Sequence, residues 1–267
     1  MNKILNIKYA QPGDRPLLLD LYLPQHSTHP PELLVWIHGG AWREGDKDDP
    51  LLLALVEDGF ALASIQYRLS HEAIYPAQIH DCKGAIRWLR AHANEYGYNA
   101  QRIGVAGSSA GGHLAALVGT SGGTLEGDSG GHLEQSSHVQ AVVDFFGPTN
   151  FLAMLGKPSE MDHAAADSPE ALLVGGPIEE CVAEVQAADP ISYITAGTPP
   201  FLIIHGNADP LVPYNQSIAL HEALIAQGVE STLDIIDGGG HGGPEYFEDR
   251  GRLETVRDFF RQHIRFE

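Results

Sequence analysis

Cysteine is nearly absent, with two in 267 residues, at 82 and 181. That excludes a disulfide framework. Neither cysteine stands in a metal-ligand spacing, and the 14 histidines form no HxxxH or HExxH pair on a helix. No metal is therefore expected. Basic residues are scarce, 16 Lys and Arg against 35 Asp and Glu, for a net charge of −19. Such a surface repels phosphate backbones and anionic headgroups, so neither nucleic acid nor a membrane is an expected partner. We read the acidity as a solvated surface rather than as a mark of habitat. Long apolar runs are missing as well. None reaches the ~18 residues of a membrane span, and Ile4-Leu5-Asn6-Ile7 is too short for a signal core. The expectation is a cytoplasmic chain, with secretion open should a leader be trimmed from it.

What is present is a globular balance, 43% hydrophobic and 19% charged. Residues 3–9 and 17–23 read as strands around the turn residues Gln11-Pro12-Gly13-Asp14, hence an N-terminal antiparallel hairpin. From residue 33 onward, apolar strand runs at 33–37, 60–65, 102–106, 139–146, 201–205 and 231–236 alternate with helical segments. The helices fall at 50–58, 78–96, 112–118, 213–227 and 244–264. This alternation predicts an α/β fold, a mostly parallel sheet with helices on both faces. Residues 121–137 are Gly- and Ser-rich without periodicity and read as a mobile surface loop. Residues 150–189 show no clean strand and leave room for a small lid insertion. Within it Ser168 and Pro169 mark a helix start. No repeat or linker interrupts residues 1–267, so one domain is the economical reading.

Gly107-Ser108-Ser109-Ala110-Gly111 is the stretch the rest is arranged around. It lies between a buried-strand run and a helix, which is the strand–turn–helix context a nucleophile elbow needs. Alone the pentapeptide is a weak signal, because a plain glycine turn has the same composition. Two further stretches strengthen it. Strand 201–205 leads through Gly206-Asn207-Ala208 to Asp209, and strand 231–236 leads to His241 within Gly238–Gly243. In a parallel sheet these positions collect at the carboxyl ends of the strands. The order Ser, Asp, His is that of the α/β-hydrolase triad.

The residue types suit nucleophilic catalysis. A serine hydroxyl attacks only when a base removes its proton, a neutral imidazole can do so near pH ~7, and a carboxylate fixes the imidazole tautomer. Asp144 also ends a strand but precedes Phe145-Phe146 and is less free to reach a histidine, so Asp209 is preferred. Asp189 reads as a turn or cap residue, and Asp237 as a weak local alternative. His113 follows Ser109 by one helical turn and reads as a structural histidine. His38 and His205 read as braces for their loops, and Cys82 as a small buried hydrophobe.

The stretches HGGAW, GSSAGGHLAAL, HGNADPLVP and GGGHGG resemble the α/β-hydrolase esterases around hormone-sensitive lipase. The run from Tyr75 through Leu117 looks closest to the bifunctional feruloyl and acetylxylan esterase-like group. The likeness covers most of residues 17–264. It implies an α/β-hydrolase fold, Ser109 as nucleophile, His241 as base and acid, and Asp209 as its orienter. It also implies Gly40, Ala41 and Ala110 as backbone donors to an oxyanion, a small-molecule ester as substrate, and no cofactor. Ala41 departs from the commoner HGGG, but an alanine keeps its N–H.

Arylformamidases of kynurenine metabolism share the HGG-aromatic stretch and the SAGGH elbow, so formamide cleavage is the alternative. A non-catalytic ligand-binding scaffold is a third reading. The segment 150–189 lacks an apolar stretch fit for a long-chain lipase lid. Trp42, Tyr67, Phe146 and Tyr214 fall near strand ends and are candidates for a small acyl or aryl pocket. The expectation is therefore a carboxylesterase for short acyl groups or a compact aromatic acyl such as feruloyl. Acyl and alcohol identity, oligomeric state and pathway are not legible in the chain.

Overall fold

The computed structural model describes residues 1–48 and 50–264. Its strands are β1 (Asn2–Ala10), β2 (Leu17–Leu23), β3 (Glu32–Ile37), β4 (Ala61–Ile65), β5 (Asn99–Ser108), β6 (Ala141–Phe145), β7 (Phe201–Gly206) and β8 (Ser231–Ile236). They form one sheet in the order β1-β2-β4-β3-β5-β6-β7-β8. β1 pairs antiparallel with β2, and β2 antiparallel with β4. Every later pairing is parallel. The hairpin thus extends one edge of a parallel sheet, and the architecture is the α/β-hydrolase fold.

The helices are α1 (Ala54–Glu57), α2 (Ala77–Tyr96), α3 (Ala110–Thr120), α4 (Pro169–Val174), α5 (Val182–Ala188), α6 (Asn215–Ala226), α7 (Pro244–Phe247) and α8 (Arg250–Ile264). Alternation along the strands splits the apolar side chains between two cores. Ile103 and Val105 of β5 join Ile79, Cys82, Ile86 and Leu89 of α2, Leu114 and Leu117 of α3, and Leu220 and Leu224 of α6. On the other face Leu34, Trp36 and Val143 meet Leu55 and Val56 of α1 and Val256, Phe260 and Ile264 of α8. Helices lie on both faces because each face buries its own stripe, at ~1.5–3 kcal/mol per fully buried large apolar side chain. Among the described helices none is long and apolar enough to cross a membrane.

Two segments differ from the sequence reading. The final helix, expected over 244–264, is broken into α7 and α8. Asp249 Oδ1 accepts from Arg252 N (2.8 Å) and starts the second helix. The break lets Tyr246 turn inward, where its hydroxyl accepts from Gly206 N (2.6 Å) and donates to Gly240 O (2.8 Å). The loop 121–137 has no helix or strand, as expected, but it is fastened to α2. Lys83 Nζ donates to Gly122 O (2.6 Å), and Arg87 donates to Gly127 O (2.6 Å) and Ser129 O (3.0 Å). Both cations also pair with Glu126. Buried ammonium and guanidinium groups need such partners, so the loop supplies them.

Between β6 and β7 the chain leaves the sheet. It makes 3₁₀ turns at Phe151–Met154 and Pro190–Tyr193 around α4 and α5. Ser168 Oγ accepts from Ala171 N (3.1 Å) and Pro169 opens α4, the start the sequence marks. This insertion is joined to the turn after β7. Glu160 N donates to Pro210 O (2.7 Å), and Ser159 Oγ (3.0 Å) and His163 Nε2 (3.1 Å) both donate to Leu211 O.

Candidate active site

β5 ends at Ser108 and α3 begins at Ala110, leaving Ser109 alone between them at φ 54°, ψ −122°. A non-glycine residue at positive φ is strained, and here the strain turns the hydroxyl out above the sheet. Two glycines allow the bend. A Cβ on Gly107 would lie 2.2 Å from Gly111 O, and one on Gly111 would lie 2.1 Å from Ile37 O. Ser109 N donates to Phe145 O (2.9 Å), tying the bend to the neighbouring strand.

The structure brings Ser109, His241 and Asp209 together. Ser109 Oγ lies 2.9 Å from His241 Nε2, and His241 Nδ1 lies 2.7 Å from Asp209 Oδ2. Facing a carboxylate, Nδ1 must carry a hydrogen, which leaves the Nε2 lone pair for the serine O–H when the ring is neutral. Phe146, held at φ 46°, packs its ring edge-on against the imidazole with centroids 4.7 Å apart.

Asp209 is enclosed and well supplied with donors. Its Oδ1 accepts from Leu211 N (2.8 Å) and Val212 N (2.9 Å). Its Oδ2 is shared by His241 and by His205 Nε2 (3.1 Å). Burial pushes its pKa up, but the hydrogen bonds from His205 and His241 outweigh burial and hold the carboxyl far below the usual carboxylate range. It therefore stays ionised wherever the imidazole can act.

The other candidates lie elsewhere. Asp144 is fully buried. Its Oδ1 accepts from Gly147 N (2.9 Å), while Oδ2 has no hydrogen-bond partner. Burial lifts its pKa to about 7, against the opposing Gly147 N–H. His113 Nε2 donates to Ala188 O (2.7 Å), and burial lowers its pKa to about 4. Asp237 Oδ1 is engaged by Asn207 Nδ2 (2.9 Å), and Asp189 Oδ1 caps the turn at Ile191 (2.8 Å). His38 Nδ1 sits against Gly39 O (2.7 Å).

After β3 the backbone runs through positive φ at Gly40 (105°), Ala41 (53°) and Trp42 (56°). Gly40 O accepts from Arg43 N (2.9 Å) and Glu44 N (3.0 Å). Across a trans peptide the N–H of Ala41 points the opposite way, out of that turn. The Ala110 N–H belongs to the first turn of α3 and has no intrahelical acceptor. Gly40, Ala41, Ser109, Ala110 and His241 line one cavity of about 660 Å³.

Two of the four aromatic candidates reach that cavity, Trp42 and Phe146. Tyr67 does not. It is fully buried beneath the Gly39–Trp42 loop, stacked on His38 at 4.3 Å with its hydroxyl donating to His38 O (3.0 Å). Tyr214 does not either, because it stands at the start of α6 with 40% of its surface exposed to solvent. The rest of the wall comes from positions the sequence did not mark, including Leu51, Met161, His163, Glu170, Val212 and Phe247. Glu170 and His163 are buried and 3.3 Å apart. The site can hold a small, largely apolar molecule with its reacting atom above Ser109. Among the described residues no cluster of His, Cys, Asp or Glu could hold a metal ion.

A BD-FAE family model matches residues 19–224. The chain is 34% identical over 188 residues, 69% of its length and 43% of the other's, to a probable carboxylic ester hydrolase, LipM, of Mycobacterium tuberculosis. It is 35% identical, with a TM-score of 0.89, to a truncated carbohydrate esterase from gut microbiota, covering 98% of this chain and 96% of that one. It is 28% identical, with a TM-score of 0.78, to the butyrate-bound Est2 esterase of the planctomycete Thermogutta terrifontis, covering 97% and 93% of the two chains. The chain spans about half the length of the curated relatives it matches.

Proposed function

Because the chain belongs to the BD-FAE family, we propose that it is a serine carboxylesterase, with Ser109 as nucleophile, His241 as general base and acid, and Asp209 as its orienter. The observation that carries this reading is the unbroken chain Ser109 Oγ–His241 Nε2–His241 Nδ1–Asp209 Oδ2, with steps of 2.9 and 2.7 Å, at the floor of a cleft open to solvent. His241 takes the hydroxyl proton as Ser109 attacks the ester carbonyl. The N–H groups of Gly40, Ala41 and Ala110 receive the developing oxyanion. His241 then protonates the departing alcohol, leaving an acyl-enzyme that water cleaves by the same steps.

The cavity also bears on substrate. At about 660 Å³ it suits one compact ligand. Its wall combines Trp42, Phe146, Leu51 and Phe247 with Met161, His163 and Glu170 from the insertion, which acts as its lid. The reading is an esterase for short acyl groups, acetyl to butyryl, or a compact aromatic acyl such as feruloyl. The butyrate-bound neighbour and the carbohydrate esterase support it by analogy.

The test is kcat/KM across p-nitrophenyl esters of two to sixteen carbons, with acetylated and feruloylated sugars and N-formylkynurenine alongside. A maximum at two to four carbons, with turnover reduced ~10³-fold or more in Ser109→Ala, is expected. A maximum at twelve carbons or beyond refutes the small pocket. Formamide cleavage without ester cleavage moves the chain to the formamidases, and a Ser109→Ala enzyme of native turnover removes the nucleophile.

A further inference from the structure

In sequence His205 reads as a brace for its loop; the structure also places it on the acid, as a second histidine. It is the penultimate residue of β7, wholly buried, and it contacts three groups. Its Nε2 lies 3.1 Å from Asp209 Oδ2 and 3.0 Å from Val212 O, and its Nδ1 lies 2.7 Å from Ser217 Oγ on α6. A carboxylate oxygen and a carbonyl oxygen can only accept, so Nε2 must bear a hydrogen whatever charge the ring carries. A hydroxyl can donate or accept, so Ser217 adapts to either state of Nδ1.

Counting acceptor positions shows what that hydrogen does. An ionised carboxylate offers about four lone-pair sites. The Leu211 and Val212 amides take the two on Oδ1, and His241 and His205 take the two on Oδ2. The carboxylate is fully subscribed and, buried as it is, cannot rotate without losing a partner. We propose that His205 is a positioning residue for the reaction, donating Nε2–H to the Asp209 oxygen that also receives His241 Nδ1–H, and so fixing the direction from which the acid holds the base. The inference rests on the serine-hydrolase reading of Ser109, His241 and Asp209.

The titratable groups around Asp209 set the expected pH behaviour. They are His205 on β7, His241 after β8, Tyr246 on α7, whose hydroxyl is spent on Gly206 and Gly240, and His163 of the insertion, which reaches Leu211 O. Removing the His205 donor leaves the Asp209 charge less neutralised. The protonated form of His241 is then favoured, and the acid limb of the pH profile moves to higher pH.

The experiment uses the whole chain and two readouts. The first is the rate of Ser109 phosphorylation by diisopropyl fluorophosphate, with fluoride leaving, together with kcat and KM for p-nitrophenyl acetate, from pH 5 to 9. His205→Leu is expected to lose ~10- to 100-fold in labelling rate and kcat, the scale of one charge-assisted hydrogen bond. KM should hold nearly constant, with the acid limb displaced upward. His205→Gln keeps an N–H at the Nε2 position and should recover most of the loss. Ser217→Ala leaves the ring in place and serves if His205→Leu fails to fold; it should lose ~3- to 10-fold in the same direction. Equal losses in the Leu and Gln variants with an unmoved limb would reduce His205 to packing and overturn the proposal. The second readout needs no turnover: ¹⁵N NMR of labelled histidine should find His205 Nε2 protonated, and a ring protonated on Nδ1 alone overturns the proposal. Wild-type chain that diisopropyl fluorophosphate does not label would instead overturn the serine-hydrolase reading beneath it.

Discussion

Replacing Asp144 by Asn should change how stability depends on pH, and the size of the change follows from where Asp144 sits. The side chain is 0% exposed, one oxygen holds Gly147 N–H, and the other faces no donor. Burial therefore favours the protonated acid, with a folded pKa of about 7. In the unfolded chain an aspartate titrates near ~3.9. Between those values the native state holds a proton that the unfolded state has lost. Stability is thus fully present below pH ~4 and is lost as pH rises through about 7. At ~1.36 kcal/mol per pH unit the interval amounts to about 4 kcal/mol. Asparagine keeps the acceptor for Gly147 and cannot ionise. Relative to wild type, Asp144→Asn should gain about 3–4 kcal/mol between pH 4.5 and pH 8.5, starting from a deficit of ~1–3 kcal/mol for its unpartnered amide hydrogens. Urea unfolding of both proteins across that range gives the answer. Parallel stability curves would show that Asp144 titrates alike in both states and would refute the buried-acid reasoning.

Three further outcomes follow from the same structure. Asp209→Asn should lower kcat on p-nitrophenyl acetate by ~10³-fold or more while Asp144→Asn stays within ~10-fold, and the reverse ranking would reassign the acid. Gly111→Ala should destabilise by ~3 kcal/mol or more, since its Cβ would meet Ile37 O at 2.1 Å and His38 O at 2.5 Å, both backbone atoms; thermal unfolding at the wild-type midpoint would contradict this. Ser168→Ala should cost ~1 kcal/mol through loss of the α4 cap to Ala171 N, measurable by urea titration, and no change would mean that the cap is dispensable.

The sheet and the line from Ser109 to Asp209 were legible because each is encoded locally: an apolar run, then a glycine-bounded polar residue, with chain order doing the rest. The choice between Asp209 and Asp144 needed more. Both lie at or just past the end of a strand, and what separates them is through-space: a histidine is delivered to Asp209, while Asp144 is fully buried with only the Gly147 N–H on its carboxyl. Tyr67 and Tyr214 show the limit of reading a pocket from strand ends. A position near the carboxyl edge says nothing of whether the side chain faces the cavity, hides beneath the Gly39–Trp42 loop or points to solvent. Loop 121–137 has no apolar periodicity and reads in sequence as a mobile surface loop, with nothing to tie it to Lys83 and Arg87 of α2. Only the fold shows that loop 121–137 wraps them. The break at Glu248-Asp249 goes with the contact of Tyr246 to Gly206, forty residues away in the chain, which no local pattern records.

The join between the insertion and the turn after β7 has a consequence for anyone redesigning the cavity. Through Ser159, Glu160 and His163, one stretch of the roof hangs from Pro210 and Leu211, and the Leu211 amide in turn holds Asp209. Shape and reactivity are wired together on that side. Substitutions at 159–163 made to admit a bulkier group would pull on the acid and show up as slower chemistry rather than weaker binding. Leu51 and Phe247 lie on walls without that tether, and they are where a library for altered selectivity would best begin.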